Sequence, residues 1–265
     1  MERFVPVPSS SCRNDSSSKE INRAPEVFFR RFFCRGNRME EKVALILPAG
    51  GTSSRFGQGN KLLCPLKGMP VFCHSIRNFS GVVPFRNMIL PVNAGFRKEF
   101  QEAVDRCFPG KGIRIVEGGA SRTESVYRAL KALSGSYEFV AVHDAARPLA
   151  DADLFRRCVE GCRVYGAALA AHRVVDTVKV MGEDGLLSAG GIDREKLWAV
   201  ETPQIFRYSD LLFAAEHAMR SGMVFTDDAA AVEKFCHRGV FPVENTRSNL
   251  KITRASDLIL AEQLL

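Results

Sequence analysis

No apolar run in this chain approaches the roughly 18 residues that a membrane-spanning helix requires, so no membrane partner is expected. Trp and Tyr are scarce, at one and four, and no basic run is interleaved with them. That argues against a nucleic-acid stacking platform. The eight cysteines are scattered and form no Cys-x-x-Cys pair. Cys158 and Cys162 lie four apart in a segment that reads as helix, without a nearby His pair, so they read as buried apolar thiols rather than metal ligands. A reducing compartment follows. No Gly-Lys-Ser/Thr closes a Walker A loop, and the Gly57-Gln-Gly59 stretch has Leu62 where a dinucleotide fingerprint needs its third glycine.

What remains is a chain of 265 residues, 46% hydrophobic and 25% charged, which suits one α/β domain or two small ones. The net charge is +7. Residues 1–38 hold eight Lys/Arg against four Asp/Glu, which leaves only +3 for the rest. This first segment is Ser-rich and lacks periodicity. It reads as a disordered tail, an organellar targeting peptide or translated upstream sequence. Met39-Glu-Glu-Lys-Val43 looks like an ordinary bacterial start placed just before the first strand. The expected division is therefore an extension over 1–38 and a functional domain over 39–265. A bacterial cytoplasmic location is expected, or a plastid if the extension is a transit peptide.

The domain is organised around Pro48-Ala-Gly-Gly-Thr-Ser-Ser-Arg-Phe-Gly-Gln-Gly-Asn-Lys61. It follows Val43–Leu47, an apolar run that predicts a buried parallel strand. The loop has four glycines, two cations (Arg55 and Lys61) and no acid. Small side chains let a ligand approach backbone N–H groups, and such a loop suits a polyphosphate.

Beyond it, strands are predicted at 87–92, 113–116, 138–142 and 167–171, alternating with helices at 70–79, 95–108, 122–133 and 151–165. This rhythm predicts an α/β fold with a doubly wound, mostly parallel, Rossmann-like sheet and ligands at the carboxyl ends of the strands. Two polar clusters fall at such ends. One is Glu117-Gly-Gly-Ala-Ser-Arg-Thr-Glu-Ser125, which also reads as an ordinary helix start capped by Ser121. The other is His143-Asp-Ala-Ala-Arg-Pro148, whose Asp144 suits a metal or a ribose hydroxyl, or caps a turn. From Val174 to Leu197 the rhythm changes to alternating residues between Gly turns. That predicts a protruding β-hairpin arm, too poorly buried by its own chain to stand alone, which packs on another subunit. Helices are then expected at 209–220, 227–237 and 255–265, and a strand at 240–243.

Together these pieces resemble the 2-C-methyl-D-erythritol 4-phosphate cytidylyltransferases of isoprenoid precursor synthesis, from about Val43 to the C-terminus. The resemblance rests on Pro48-Ala-Gly-Gly51 with Arg55 and Lys61, Gly118-Gly119 with Arg122 and Ser125, and His143-Asp-Ala-Ala-Arg-Pro148. It continues through Asp176-Thr177-Val-Lys, Arg194, Thr202-Pro-Gln, Thr226-Asp227 and Asn249-x-Lys251-Ile-Thr. Gly50, Ser53 and Ala120 depart from the family's usual residues.

The resemblance implies a nucleotidyltransferase-type fold and transfer of CMP from CTP to 2-C-methyl-D-erythritol 4-phosphate in the non-mevalonate pathway. It implies catalytic Arg55, Lys61 and Lys251. Pro48, Ala49, Gly50, Gly51, Gly119, Arg122, Ser125, Asp144 and Ala145 would bind the nucleotide. It further implies a homodimer whose arm brings Thr177 and Arg194 to the partner's acceptor site, and Mg²⁺ or another divalent cation with Asp144 as its protein ligand. A ribitol 5-phosphate cytidylyltransferase shares these motifs, and a catalytically silent nucleotide-binding relative is the alternative from another class.

Overall fold

The structure is a computed structural model, and it describes residues 42–51, 56, 59–134, 136–188 and 192–265. The expectations for the extension 1–38, for Ser53 and for Arg55 fall outside those residues.

The main sheet contains β1 (Val43–Ile46), β4 (Met88–Val92), β5 (Arg114–Glu117), β6 (Phe139–Val142), β7 (Ala167–Arg173), β8 (Trp198–Arg207) and β9 (Phe241–Glu244), in the order β5-β4-β1-β6-β8-β7-β9. A two-residue hairpin, β2 (Pro65–Leu66) and β3 (Met69–Pro70), stands apart. The helices are α1 (Val71–Phe79), α2 (Arg97–Cys107), α3 (Arg122–Ala132), α4 (Ala152–Tyr165), α5 (Tyr208–Ser221), α6 (Asp228–Cys236) and α7 (Ala255–Leu264). Among the described residues no helix is long and apolar enough to cross a membrane.

Alternation along β1 builds two cores. Val43 and Leu45 pack with Phe72, Phe100 and Phe155 from α1, α2 and α4, while Ala44 and Ile46 meet Val126 and Leu130 of α3 and Leu211 of α5. Both faces are covered, which is why the strand reads as an unbroken apolar run. Burying each of these large side chains contributes about 2–3 kcal/mol.

β1 pairs in parallel with β4 on one side and β6 on the other. The loops after β1 and β6 therefore leave the same sheet edge side by side, at the point where the strand order reverses and doubly wound sheets bind ligands. The expected strands and helices appear within about two residues, the usual uncertainty of element ends. One strand, β8, is not among those expected. β8 runs antiparallel to both β6 and β7, so the sheet is mostly but not wholly parallel.

The arm is less regular than expected. It leaves the sheet between Arg173 and Trp198, which pair across β7 and β8 with the Arg173 guanidinium 4.6 Å from the Trp198 ring centre. Within it an isolated bridge joins Met181 to Leu187, closed by Gly182 N–H to Leu186 C=O and Ser188 N–H to Val180 C=O. Asp176 to Lys179 belong to no strand. An excursion with no sheet neighbour on either side lacks partners for a longer ladder.

Candidate active site

The ladder continues one step past β1. Ala49 donates its N–H to Pro91 C=O at 2.9 Å and is 1% exposed, so it holds the sheet edge rather than facing a ligand. Pro48, Gly50 and Gly51 around it line a cleft of about 410 Å³, within the range of small-molecule sites. A Cβ on Gly50 would lie 3.3 Å from Ser125 Oγ, and one on Gly118 would lie 3.1 Å from the same oxygen. Two backbones thus converge on one hydroxyl, so Gly50 gives this turn room that an alanine would take.

That hydroxyl organises the start of α3. Ser125 Oγ accepts the Gly119 N–H at 3.0 Å and donates to Ser121 C=O at 2.8 Å. Ser121 caps the helix by accepting from Glu124 N–H, and Glu124 accepts from Ala120 N–H. The expected cap at Ser121 is present, and it serves the cleft as well, because Gly119, Ala120, Ser121 and Arg122 all line it. The Gly119 N–H is consumed internally.

Asp144 enters the cleft from the loop after β6. Lys251 Nζ lies 2.7 Å from one of its oxygens, Arg122 3.5 Å from the other, and Arg147 Nε 3.8 Å away. Burial alone would raise this carboxyl, but the Arg122, Lys251 and Arg147 charges hold it well below the usual carboxylate range. Arg122 also pairs with buried Asp228 at the first turn of α6. Burial disfavours its charge, yet Asp228 and Asp144 raise its pKa further. Its charge is therefore spent inside the protein.

The Asp144 backbone is fixed by a satisfied chain. Its N–H donates to Thr202 Oγ1 at 3.0 Å, the Thr202 hydroxyl donates to His143 Nδ1 at 3.1 Å, and His143 Nε2–H donates to Arg147 C=O at 3.1 Å. These partners assign the Nε2–H tautomer. Burial lowers the His143 pKa to about 4, so it stays neutral. From behind, Ser75 and Asn78 of α1 donate to the carbonyls of Arg147, Pro148 and Ala150.

Opposite lies an irregular segment, Asn249 to Thr253. Ile252 N–H donates to Ala146 C=O at 2.9 Å, Arg147 donates to Asn249 C=O at 2.6 Å, and Lys61 Nζ donates to Ile252 C=O at 2.7 Å. Lys61 and Lys251 both line the cleft as a result.

Of the expected site residues, the structure brings together Pro48, Gly50, Gly51, Lys61, Gly119, Arg122, Ser125, Asp144, Ala145 and Lys251. Ala49 lies behind them, and Arg55 lies outside the described residues. Thr177 and Arg194 are exposed on the arm and are not part of this cleft, where Arg194 donates to Val175 C=O. Sequence reasoning missed Arg147, Asp228 and Thr202 as supports. Each lies in or beside a recognised motif, but no local pattern says which partner it takes.

A family model described as 2-C-methyl-D-erythritol 4-phosphate cytidylyltransferase (IspD) matches residues 43–265. The chain is 37% identical over 234 residues to the protein of that name from Solibacter usitatus, covering 84% of this chain and 96% of the relative. It is 39% identical over 231 residues to the one from Symbiobacterium thermophilum, covering 86% and 94%. Among solved structures it is similar to 4-diphosphocytidyl-2C-methyl-D-erythritol synthase from Anaerococcus prevotii, with a TM-score of 0.73, 26% identity, and 84% of this chain and 98% of that one covered. The 2-C-methyl-D-erythritol 4-phosphate cytidylyltransferase from Thermus thermophilus gives a TM-score of 0.68 at 30% identity, with 84% and 98% covered.

Proposed function

The chain belongs to the 2-C-methyl-D-erythritol 4-phosphate cytidylyltransferase family, and from that premise we propose how its cleft performs the reaction. It is a CTP-dependent cytidylyltransferase of isoprenoid precursor synthesis, transferring CMP from CTP to 2-C-methyl-D-erythritol 4-phosphate. A phosphate oxygen of the acceptor bonds to the α-phosphorus of CTP, the bond from that phosphorus to the bridging oxygen breaks, and pyrophosphate leaves with the electron pair. The acceptor phosphate, with a second pKa around 6, is mostly dianionic near neutral pH and needs no general base. Alignment and neutralisation of charge are what the protein supplies.

The observation that carries this reading is the convergence of Lys61, Lys251, Asp144 and the start of α3 on one cleft. Lys61 and Lys251, with Arg55, neutralise charge building on the α-phosphate and the leaving pyrophosphate. The α3 N-terminus favours anions at the same place. Gly119 and Ser125 shape the base subsite. Since the Gly119 N–H is taken, carbonyl oxygens of that turn meet the cytosine amino group. Arg122 orients Asp144 rather than binding phosphate.

Nucleotidyltransferases of this kind generally depend on a divalent cation. Among the described residues no cluster of three or more His, Cys, Asp or Glu is present, and Asp144 is the carboxylate that lines the cleft. A cation held mostly by triphosphate oxygens and water, with Asp144 beside it, fits that donor set, and Mg²⁺ binds in this way. When bound it offsets triphosphate charge.

Two chains form a homodimer in which each arm carries Thr177 and Arg194 to the partner's acceptor phosphate, a contact Arg makes bidentately. The exposed apolar residues of the arm support this. Residues 39–265 form the catalytic domain. Residues 1–38 are an extension outside it, and the protein works in a bacterial cytoplasm, or in a plastid if a fusion of 1–38 delivers a reporter there. The deciding assay measures pyrophosphate release from CTP with 2-C-methyl-D-erythritol 4-phosphate beside ribitol 5-phosphate. Turnover with the first and little with the second is expected, and the reverse would overturn the acceptor assignment.

A further inference from the structure

Lys251 sits on a segment with no helix or strand to fix it, yet its Nζ lies 2.7 Å from Asp144. The contacts from Arg147, Ala146 and Lys61 hold the cleft side of that segment. The other side ends on Glu201 of β8, a residue only 6% exposed that does not line the cleft. We propose that Glu201 is a positioning residue for Lys251, acting through the side chain of Asn249.

One Glu201 oxygen accepts from Asn249 Nδ2 at 2.8 Å and from Asn245 Nδ2 at 2.9 Å. The second hydrogen of the Asn249 amide goes to Thr202 C=O at 2.9 Å. Both hydrogens are then used, and a turned amide would set its oxygen against two acceptors. The Asn249 orientation is therefore dictated by Glu201 and Thr202, and the chain two residues on delivers Lys251. Thr202 is also the residue that accepts the Asp144 N–H, so both ends of the Lys251–Asp144 pair are set from adjacent positions of one strand. The other Glu201 oxygen meets His172 Nδ1 at 2.8 Å, close to the root of the arm. A buried carboxylate costs folding energy unless its oxygens find donors, and here His172, Asn245 and Asn249 supply them.

The inference rests on the proposed role of Lys251 in transfer, so its test reads Lys251 directly as well as through activity. Glu201→Met, Asn249→Ser, Asn245→Ser and Lys251→Ala are compared with the parent. Reductive methylation of each lysine is followed by mass spectrometry, with exposed Lys98 as the internal reference. Glu201→Met and Asn249→Ser should both label Lys251 faster than the parent and lower kcat about tenfold or more, as small misplacements at reacting centres do. The KM for CTP should change little. Asn245→Ser removes the other amide and should lower thermal stability without either effect. If Glu201→Met does not fold, Asn249→Ser breaks the same link with the carboxylate in place. Parental labelling at Lys251 in the folded variants overturns the inference. Faster labelling with parental kcat in these variants, together with a parental kcat in Lys251→Ala, overturns instead the catalytic reading of Lys251 and with it the part of Glu201 in the reaction.

Discussion

Asp144 and Arg194 are both expected to serve the same reaction, and their surroundings differ in every respect. Asp144 is enclosed by Arg122, Arg147 and Lys251, and its backbone is tied through Thr202 to His143. Arg194 is half exposed and, among the described residues, meets only its own arm, at Val175 C=O and Glu195. Around it Val175 is 79% exposed, Leu186 68% and Met181 65%. The described side chains of the cleft are held by partners within their own chain. The arm shows apolar side chains and a cation that the described residues leave exposed. Changes in the cleft should then act on kcat within one subunit, and changes in the arm on acceptor binding in the other.

The largest effect should come from Lys61→Ala. Losing one charged contact at a dry phosphoryl site should remove roughly 3 kcal/mol, a hundredfold or more in kcat, with a smaller change in the KM for CTP. The ammonium also ties its loop to Ile252 C=O, so part of the loss is positional. Steady-state kinetics on the folded variant checks this. A kcat within about threefold of the parent, well under the tenfold that 1.36 kcal/mol represents, would remove Lys61 from the machinery.

Next comes Thr202→Val, which keeps the shape and deletes one hydroxyl. The Asp144 N–H loses its acceptor and His143 Nδ1 its donor, both buried. About 1–3 kcal/mol of stability should be lost for such stranded groups. Urea unfolding should show a lower midpoint with an unchanged slope. An exposed arm change such as Val180→Ser should stay within about 0.5 kcal/mol in the same measurement. Equal losses in the two variants would erase the contrast between cleft and arm.

A third comparison mixes subunits. Arg194→Ala should raise the KM for the acceptor about tenfold, the scale of one lost charge-assisted contact of about 1.4 kcal/mol. Combined with Lys61→Ala subunits, it should recover the parental KM for the acceptor, because one composite site per heterodimer keeps both residues. Heterodimers that form and keep the raised acceptor KM would show that Arg194 serves its own cleft.

Much of the cleft was legible in the sequence because its loops are local. Gly50, Gly51, Gly119 and Asp144 follow strands whose apolar runs announce burial on both faces, and the carboxyl ends of such strands are where ligands go. The supports were not legible. Lys61 reaches Ile252 across 191 residues and Arg122 reaches Asp228 across 106, and nothing in either neighbourhood encodes the partner. The expectations include no strand at β8, where Glu201, Thr202, Pro203 and Gln204 interrupt the apolar residues, and its direction depends on the arm returning as a hairpin rather than through a crossover helix. The arm read as a longer hairpin than it forms, since alternation specifies a strand only where a neighbour accepts its hydrogen bonds.

The smallest expected effect is an acid sensitivity confined to the cleft's support. His74 is 1% exposed on α1, the helix that braces the loop after β6, with Nε2 at 2.8 Å from Leu66 C=O and Arg77 3.1 Å from Nδ1. Burial lowers its pKa from the ordinary 6.5, the Leu66 carbonyl opposes that, and Arg77 lowers it further. The sign follows from proton binding. Below pH 6.5 the unfolded chain takes up a proton that the folded chain resists, so the contribution is complete above 6.5 and is lost as pH falls below it. The arm segment 174–197 contains no histidine and should show no such dependence. Urea unfolding of the parent and of His74→Gln at about pH 8 and about pH 5.5, on either side of the ordinary histidine range, separates this group from the other histidines. The parent should lose more stability than the variant over that interval. Equal losses would mean that His74 takes up its proton in the folded protein as readily as in the unfolded one, and that the brace behind Asp144 is no more acid-sensitive than the arm.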